Sequence, residues 1–246
     1  MGSKDVQKAL RKKADKEKAK ILQGFFKTEK GEYGEGDIFL GITVPEQREI
    51  AKNYIELPLN EIQKLLESKY HEERLTALLI LTYKYEKTKN EKEKKEIYEF
   101  YLSNTKYINN WDLVDLSAPK IVGNYLLNHK NEKNILYKLA KGYQRCPKRQ
   151  PISRLWEKRI SILATFPFIK ANNYEDSIKL SEMFLYEEHD LMHKAVGWML
   201  REVGKKDEKV LTEFLDKHYK EMPRTMLRYS IEKFDEEKRK YYLNLK

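Results

Sequence analysis

Apolar residues return every three or four positions along almost the whole chain, and that period belongs to α-helices. Stretches such as "RLTALLILTYKY", "KRISILATF" and "HKAVGWMLREVG" read as core-facing helices, and "NEKEKKEIYEFY" as an amphipathic cover. No segment shows the alternation of a strand. Ten glycines and seven prolines in 246 residues are also too few for the turns of an all-β chain. The expected class is therefore all-α. Pro45 suits the first turn of a helix through "PEQREIAKNYI". Further helices are expected near Leu59–Ser68, Glu72–Lys87, Lys92–Ser103, Glu132–Lys141, Ser153–Phe166, Tyr174–Tyr186, Asp190–Val203, Glu208–Tyr219 and Arg224–Phe234. One more spans roughly Trp111–Asn128, kinked or divided at Pro119, because proline lacks the donor a helix interior needs.

Arg74, Asp115, Arg159 and Trp198 each sit on one apolar helix, at separations of 41, 44 and 39 residues. Helical pairs of the HEAT type repeat at about 40–47 residues. Equivalent positions on stacked pairs line one face of a solenoid. The expectation is a single HEAT-like helical-repeat domain over 1–246, with these four residues converging on a concave, basic face. Within it, 1–24 is a basic N-terminal helix or arm, 25–44 a glycine-containing loop region, and 45–246 stacked helical pairs. The segment Lys4 to Lys27 reads as a basic helix or a partly frayed arm, with eight Lys/Arg against three Asp/Glu up to Lys20. "KGEYGEGD" breaks the helical pattern as a loop.

The formal net charge is +10. Clustered Lys and Arg neutralise phosphates and release counterions, which points to a nucleic-acid partner. The single cysteine, Cys146, excludes an internal disulfide and a cysteine-based zinc site. The N-terminus has no apolar core of a secretory signal, and no apolar run approaches a membrane span. These features fit a cytoplasmic protein, nucleoid-associated when bound to DNA, with no membrane contact.

"NNWDLVDLSAPK" then stands out, because it mounts an indole and two carboxylates in a basic chain. Trp111 and Asp115 are four apart and share a helix face. Asp112 points elsewhere and, in the first turn, favours the positive end of the helix dipole. By spacing alone, Trp111 reads equally as core filling and Asp115 as a solvated carboxylate. In "SRLWEKRIS", Ser153 is placed to cap the helix that carries Trp156 and Arg159, and a salt bridge to a neighbouring helix is the alternative role for Arg159. Trp198 follows Gly197, a residue that costs about 1 kcal/mol in a helix interior and so marks close approach by a neighbour or a ligand. "HDLMH" places His189 and His193 one turn apart, but Asp190 stands where a zinc-protease motif has Glu, and no third ligand is evident. Neither a metal nor another cofactor is expected. Gly31, Gly34 and Gly36 lack the spacing and the preceding strand of a dinucleotide fingerprint. Tyr33 in that loop reads as a DNA contact or as part of a plain surface turn.

Together and in order, "GEYGEGDIFLGITVPEQR", "NNWDLVD", "LWEKRISIL" and "HKAVGWMLRE" make the chain resemble the AlkD-type bacterial DNA alkylation repair family, alkylpurine glycosylases built from HEAT-like repeats. The resemblance runs from about Phe25 to Val203. It implies a catalytic aspartate at Asp115, active-site tryptophans at Trp111 and Trp198, and a DNA-contacting arginine at Arg159. Lys194 and Arg201, which flank Trp198, join Arg159 and Tyr33 as candidate DNA contacts. The implied protein is a monomer that acts on double-stranded DNA containing alkylated bases. It would approach the lesion through the backbone while the base stays stacked, unlike glycosylases that flip the base. A non-catalytic DNA-structure-binding protein and a helical-repeat protein scaffold are the alternatives.

Overall fold

A computed structural model describes the backbone of residues 1–142 and 151–244, and the side chains of these except 151–153. Cys146 and the cap expected of Ser153 lie outside the described residues. The chain divides into two compact units, Met1–Tyr125 and Leu126–Lys246. Among the described residues the regular elements are all helices, with one isolated bridge between Ile38 and Tyr70.

The first unit holds α1 (Ser3–Arg11), α2 (Lys16–Phe25), α3 (Val44–Asn53), α4 (Leu59–Leu66), α5 (His71–Lys87), α6 (Glu91–Ser103) and α7 (Trp111–Ser117). α5 is its axis. Every residue from His71 to Thr82 is buried, which suits the mostly apolar stretch from Leu75 onward and obliges the polar His71–Arg74 to find partners. α3, α4 and α7 pack around it. The N-terminal segment is two packed helices, broken at Lys12–Asp15, and not a frayed arm. Val6 and Leu10 are fully buried. The Ser3 N–H and hydroxyl both donate to Glu61, at 2.7 Å each, and Arg11 reaches the buried carboxylate of Glu73 at 2.9 Å. Asp15 caps α2 by accepting from the N–H groups of Glu17 and Lys18. Thr43 and Glu46 form a capping box on α3, with Pro45 in its first turn as expected.

After α7 the chain widens into a π turn over Pro119–Gly123, closed by the Gly123 N–H on the Ala118 carbonyl at 3.0 Å. It resumes as α8 (Asn124–Asn128), which spans the division between the units. The long helix expected over this stretch is thus divided at Pro119, where the missing N–H and the ring disrupt the regular ladder.

The second unit continues with α9 (Asn134–Ala140), α10 (Pro151–Leu163), α11 (Phe166–Lys170), α12 (Glu175–Met183), α13 (Asp190–Lys206), α14 (Glu208–His218), α15 (Arg224–Ser230) and α16 (Glu236–Asn244). α13 is central, packed by α10, α11, α12, α14 and α15. Its Met192, Val196, Met199, Leu200 and Val203 are fully buried. α11 and α16 have no counterpart in the sequence reading. α16 buries only Tyr242, so its sequence carries almost no amphipathic signal.

Gly197 is where α15 comes closest to α13. A Cβ there would lie 2.5 Å from the Tyr229 Cβ and 2.6 Å from the Met226 carbonyl oxygen. The close neighbour is therefore a helix of the same unit. Because one contact is rigid backbone, Gly197→Ala is expected to push α15 outward and cost about 1–3 kcal/mol, the usual scale of overpacking. A urea melt of the variant with an unchanged midpoint would contradict this contact.

Candidate active site

α7 begins at Asn110, whose Oδ1 accepts the Trp111 N–H at 2.8 Å and whose side-chain amide donates to Asp37 at 3.3 Å. Trp111 and Asp115 follow one turn apart, both half-buried. The indole stacks on Phe26, with centroids 5.2 Å apart and planes within 9°, and the exposed Phe25 meets it edge-on at 6.1 Å. Tyr101 lies beneath α7 and shares a 2.9 Å hydrogen bond with Ser117, which donates in turn to the Leu113 carbonyl. Burial raises the Tyr101 hydroxyl above its ordinary range, and the negative charge of Asp115 adds to the effect.

Asp112 occupies the first turn of α7, as expected, but it also has a partner that local spacing does not reveal. Its Oδ1 accepts the Leu113 N–H at 2.9 Å, and its Oδ2 lies 2.8 Å from His71 Nε2. His71 Nδ1 lies 2.9 Å from Asp37 Oδ2, and Arg74 donates to Asp37 Oδ1 at 2.6 Å. His71 is thus held between two carboxylates, and only the doubly protonated imidazolium can donate to both. Asp37, Asp112, His71 and Arg74 then sum to zero charge inside the unit. Burial alone would lower the His71 pKa. Asp112 foremost, and then Asp37, outweigh burial and push it up to about 9. Burial likewise opposes ionisation of Asp37, yet His71 and Arg74 hold its carboxyl below the usual range.

The sign of the pH dependence follows. The stabilisation linked to His71 is complete below its unfolded pKa of about 6.5 and is lost as pH rises through the folded value. For Asp37 it is complete above an unfolded pKa of about 3.9 and is lost as pH falls below that. Raising the pH from about 7 to about 10 is expected to remove a few kcal/mol from the wild-type protein that His71→Gln never had. Urea midpoints of both proteins at the two pH values check this, and an equal decline in both would assign the loss to other groups.

Two more residues at the start of α5 serve this corner of the unit. Arg74 was expected on an exposed concave face with Asp115, Arg159 and Trp198. It is instead buried, its guanidinium spent on Asp37 and the Ser68 carbonyl. Glu72 accepts the N–H groups of Leu40, Gly41 and Ile42 at 2.8–3.2 Å and so fixes the segment leading into α3. A cavity of about 170 Å³ between α2, α3 and α5 is lined by Ile21, Leu22, Phe26, Phe39, His71 and Asp112 among others. Neither Trp111 nor Asp115 lines it.

Tyr33 is half-buried in the glycine-containing loop. The remaining candidates belong to the second unit. Arg159 is only 4% exposed, and its Nη1 donates to the Leu191 carbonyl, at the start of α13. Trp198 is half-buried, with its ring 6.0 Å from that of Phe166. Lys194 pairs with Asp190 at 2.6 Å, and Arg201 pairs with Glu232. His189 caps α13 by accepting the Leu191 N–H, and His193 Nε2 lies 2.5 Å from the Glu187 carbonyl oxygen. No helix among the described residues is long and apolar enough to cross a membrane.

The sequence model of the DNA alkylation repair enzyme family matches residues 6–234. The chain belongs to that family, and membership supports a role in DNA alkylation repair. Among solved structures, one described as a predicted DNA alkylation repair enzyme from Enterococcus faecalis is similar at a TM-score of 0.67. It has 17% sequence identity, and the match covers 91% of this chain and 98% of that one. At that identity the likeness speaks for the fold alone. No curated protein matches the chain.

Proposed function

We propose that this protein is a monomeric DNA glycosylase that hydrolyses the N-glycosidic bond of cationic alkylated purines, N7-methylguanine and N3-methyladenine, in duplex DNA. The reading rests above all on Trp111 and Asp115, half-buried one turn apart on a helix whose first turn is fixed by buried partners. Alkylation at either ring nitrogen gives the base a positive charge. When the bond from C1′ to the base breaks, its electron pair goes to the base, which leaves neutral. Positive charge develops on the sugar in an oxocarbenium-like transition state. A nearby carboxylate stabilises that charge electrostatically, and indole faces attract a cation. Asp115 supplies the carboxylate and also orients the attacking water. That water's oxygen bonds to C1′ and gives up a proton to solvent, leaving an abasic site. Trp111 and Trp198 supply the indole faces.

Lys194, Arg201 and Tyr33 contact the DNA backbone in this reading, and Arg159, buried in the free protein, does so only by giving up the Leu191 carbonyl. Lys194 and Arg201 exchange their protein carboxylates for phosphates. The direct test is release of free N7-methylguanine or N3-methyladenine from methylated duplex DNA, and no release by well-folded protein would remove the glycosylase reading. The +10 charge further predicts that DNA affinity falls steeply with salt. Arg159→Ala should weaken binding alike across sequences, since phosphate contacts position and do not specify. It should also lower the melting temperature, because Arg159 is buried against the α13 start. Salt-independent affinity in a fluorescence titration would contradict a phosphate-dominated interface.

A further inference from the structure

We propose that His71 is a positioning residue for Trp111 and Asp115, acting as a charged clamp between the glycine-containing loop and the first turn of α7. The inference rests on the glycosylase reading only for its kinetic arm. Two chains of contact lead from His71 to the candidate site. One is polar. His71 Nε2 holds Asp112, whose Oδ1 takes the Leu113 N–H, so the imidazolium pins the first turn of α7 from inside. The other is aromatic. The Phe39 ring stacks on the imidazole at 4.5 Å, Phe26 on Phe39 at 4.9 Å, and Trp111 on Phe26 at 5.2 Å. Phe26 also meets the imidazole directly at 4.9 Å, so the cation attracts both phenyl rings that neighbour it.

The clamp depends on charge. The titratable and charged groups around His71 are Asp37 from the loop, Asp112 from α7 and Arg74 on its own helix, with Glu72 occupied by three backbone amides and Lys18 of α2 lining the same cavity. A neutral imidazole can donate to only one of the two carboxylates, and the other would then face a lone pair at under 3 Å. Losing the proton therefore loosens either the loop that carries Phe26 and Phe39, leaving Asp37 to Arg74 and the Asn110 amide, or the first turn of α7. Either release moves Trp111, and with it the carboxylate one turn further along.

The test uses the full chain and two readouts. The first is the Trp111 indole ¹H–¹⁵N resonance, assigned by its loss in Trp111→Phe and read with no reference to activity. It should shift in His71→Gln, and in the wild-type protein it should move with the His71 titration. The second readout is the single-turnover excision rate at saturating enzyme on one methylated duplex. At neutral pH His71→Gln should be slower by about a hundred-fold, the scale set by a displacement of about 1 Å. DNA affinity should stay near the wild-type value and melting should remain cooperative. The ratio of wild-type to variant rate should approach one as pH passes through the His71 titration, and substrate ionisation cancels from that ratio. Should His71→Gln fail to fold, Asp112→Ala removes the group that His71 Nε2 holds, with the same outcomes expected. If neither variant folds, the wild-type indole signal decides. An indole resonance unmoved through the imidazole titration overturns the proposal, as does a pH-independent rate ratio. Absence of excision by the wild-type protein removes the glycosylase reading, and the indole resonance still decides whether His71 positions Trp111.

Discussion

Replacing Asp115 with asparagine is expected to slow base release by about a hundred- to a thousand-fold, the scale on which one preorganised electrostatic group acts in an active site. The substitution keeps the shape of the side chain and removes its charge, so the oxocarbenium-like sugar loses the carboxylate that stabilises it. Asp115 is half-buried, and a nearly isosteric amide leaves the packing over Tyr101 and Ser117 in place. Folding should therefore survive. DNA affinity should stay level or rise slightly, because one negative charge has left a protein that binds a polyanion. Single-turnover excision of N7-methylguanine, together with a binding titration and a thermal melt, separates these effects. Full activity would remove Asp115 from the chemistry. A loss of rate matched by a loss of folding would make it a structural residue.

Lesion charge should govern reactivity just as strongly. A site that stabilises the sugar and gives no proton to the base depends on a leaving group that departs neutral unaided. N7-methylguanine and N3-methyladenine meet that condition. Uracil, hypoxanthine and 1,N6-ethenoadenine do not, and should persist in matched duplexes. Trp198→Leu keeps much of the apolar bulk but removes the π face, so it should slow release of the cationic lesions beyond its cost in stability. A thermal melt measures that cost, since Trp198 also neighbours Phe166. Comparable turnover of uracil and N7-methylguanine would refute a charge-driven mechanism and require a general acid.

Residues near one another in the chain made the helices legible. The helical period, the proline at the start of α3 and the break at Pro119 all depend on neighbours within a few positions. Trp111 and Asp115 share a face for the same reason, since one helical turn spans about 3.6 residues. Gly197 marked a close approach because glycine costs stability inside a helix unless something needs the space. The electrostatic core of the first unit was not legible in this way. His71 meets Asp37 across 34 residues and Asp112 across 41, and no local pattern specifies either partner. The one available signal was "HEER", four polar residues opening an apolar helix and all four buried in the fold. A buried charge must find a compensating charge, but only the tertiary structure supplies it, because desolvation and pairing act through space and not along the chain. The N-terminal segment makes the same point. Its charge left a basic helix and a partly frayed arm both open, and the packing decides for helix: Val6 and Leu10 are buried and Arg11 pairs with Glu73, a carboxylate 62 residues away.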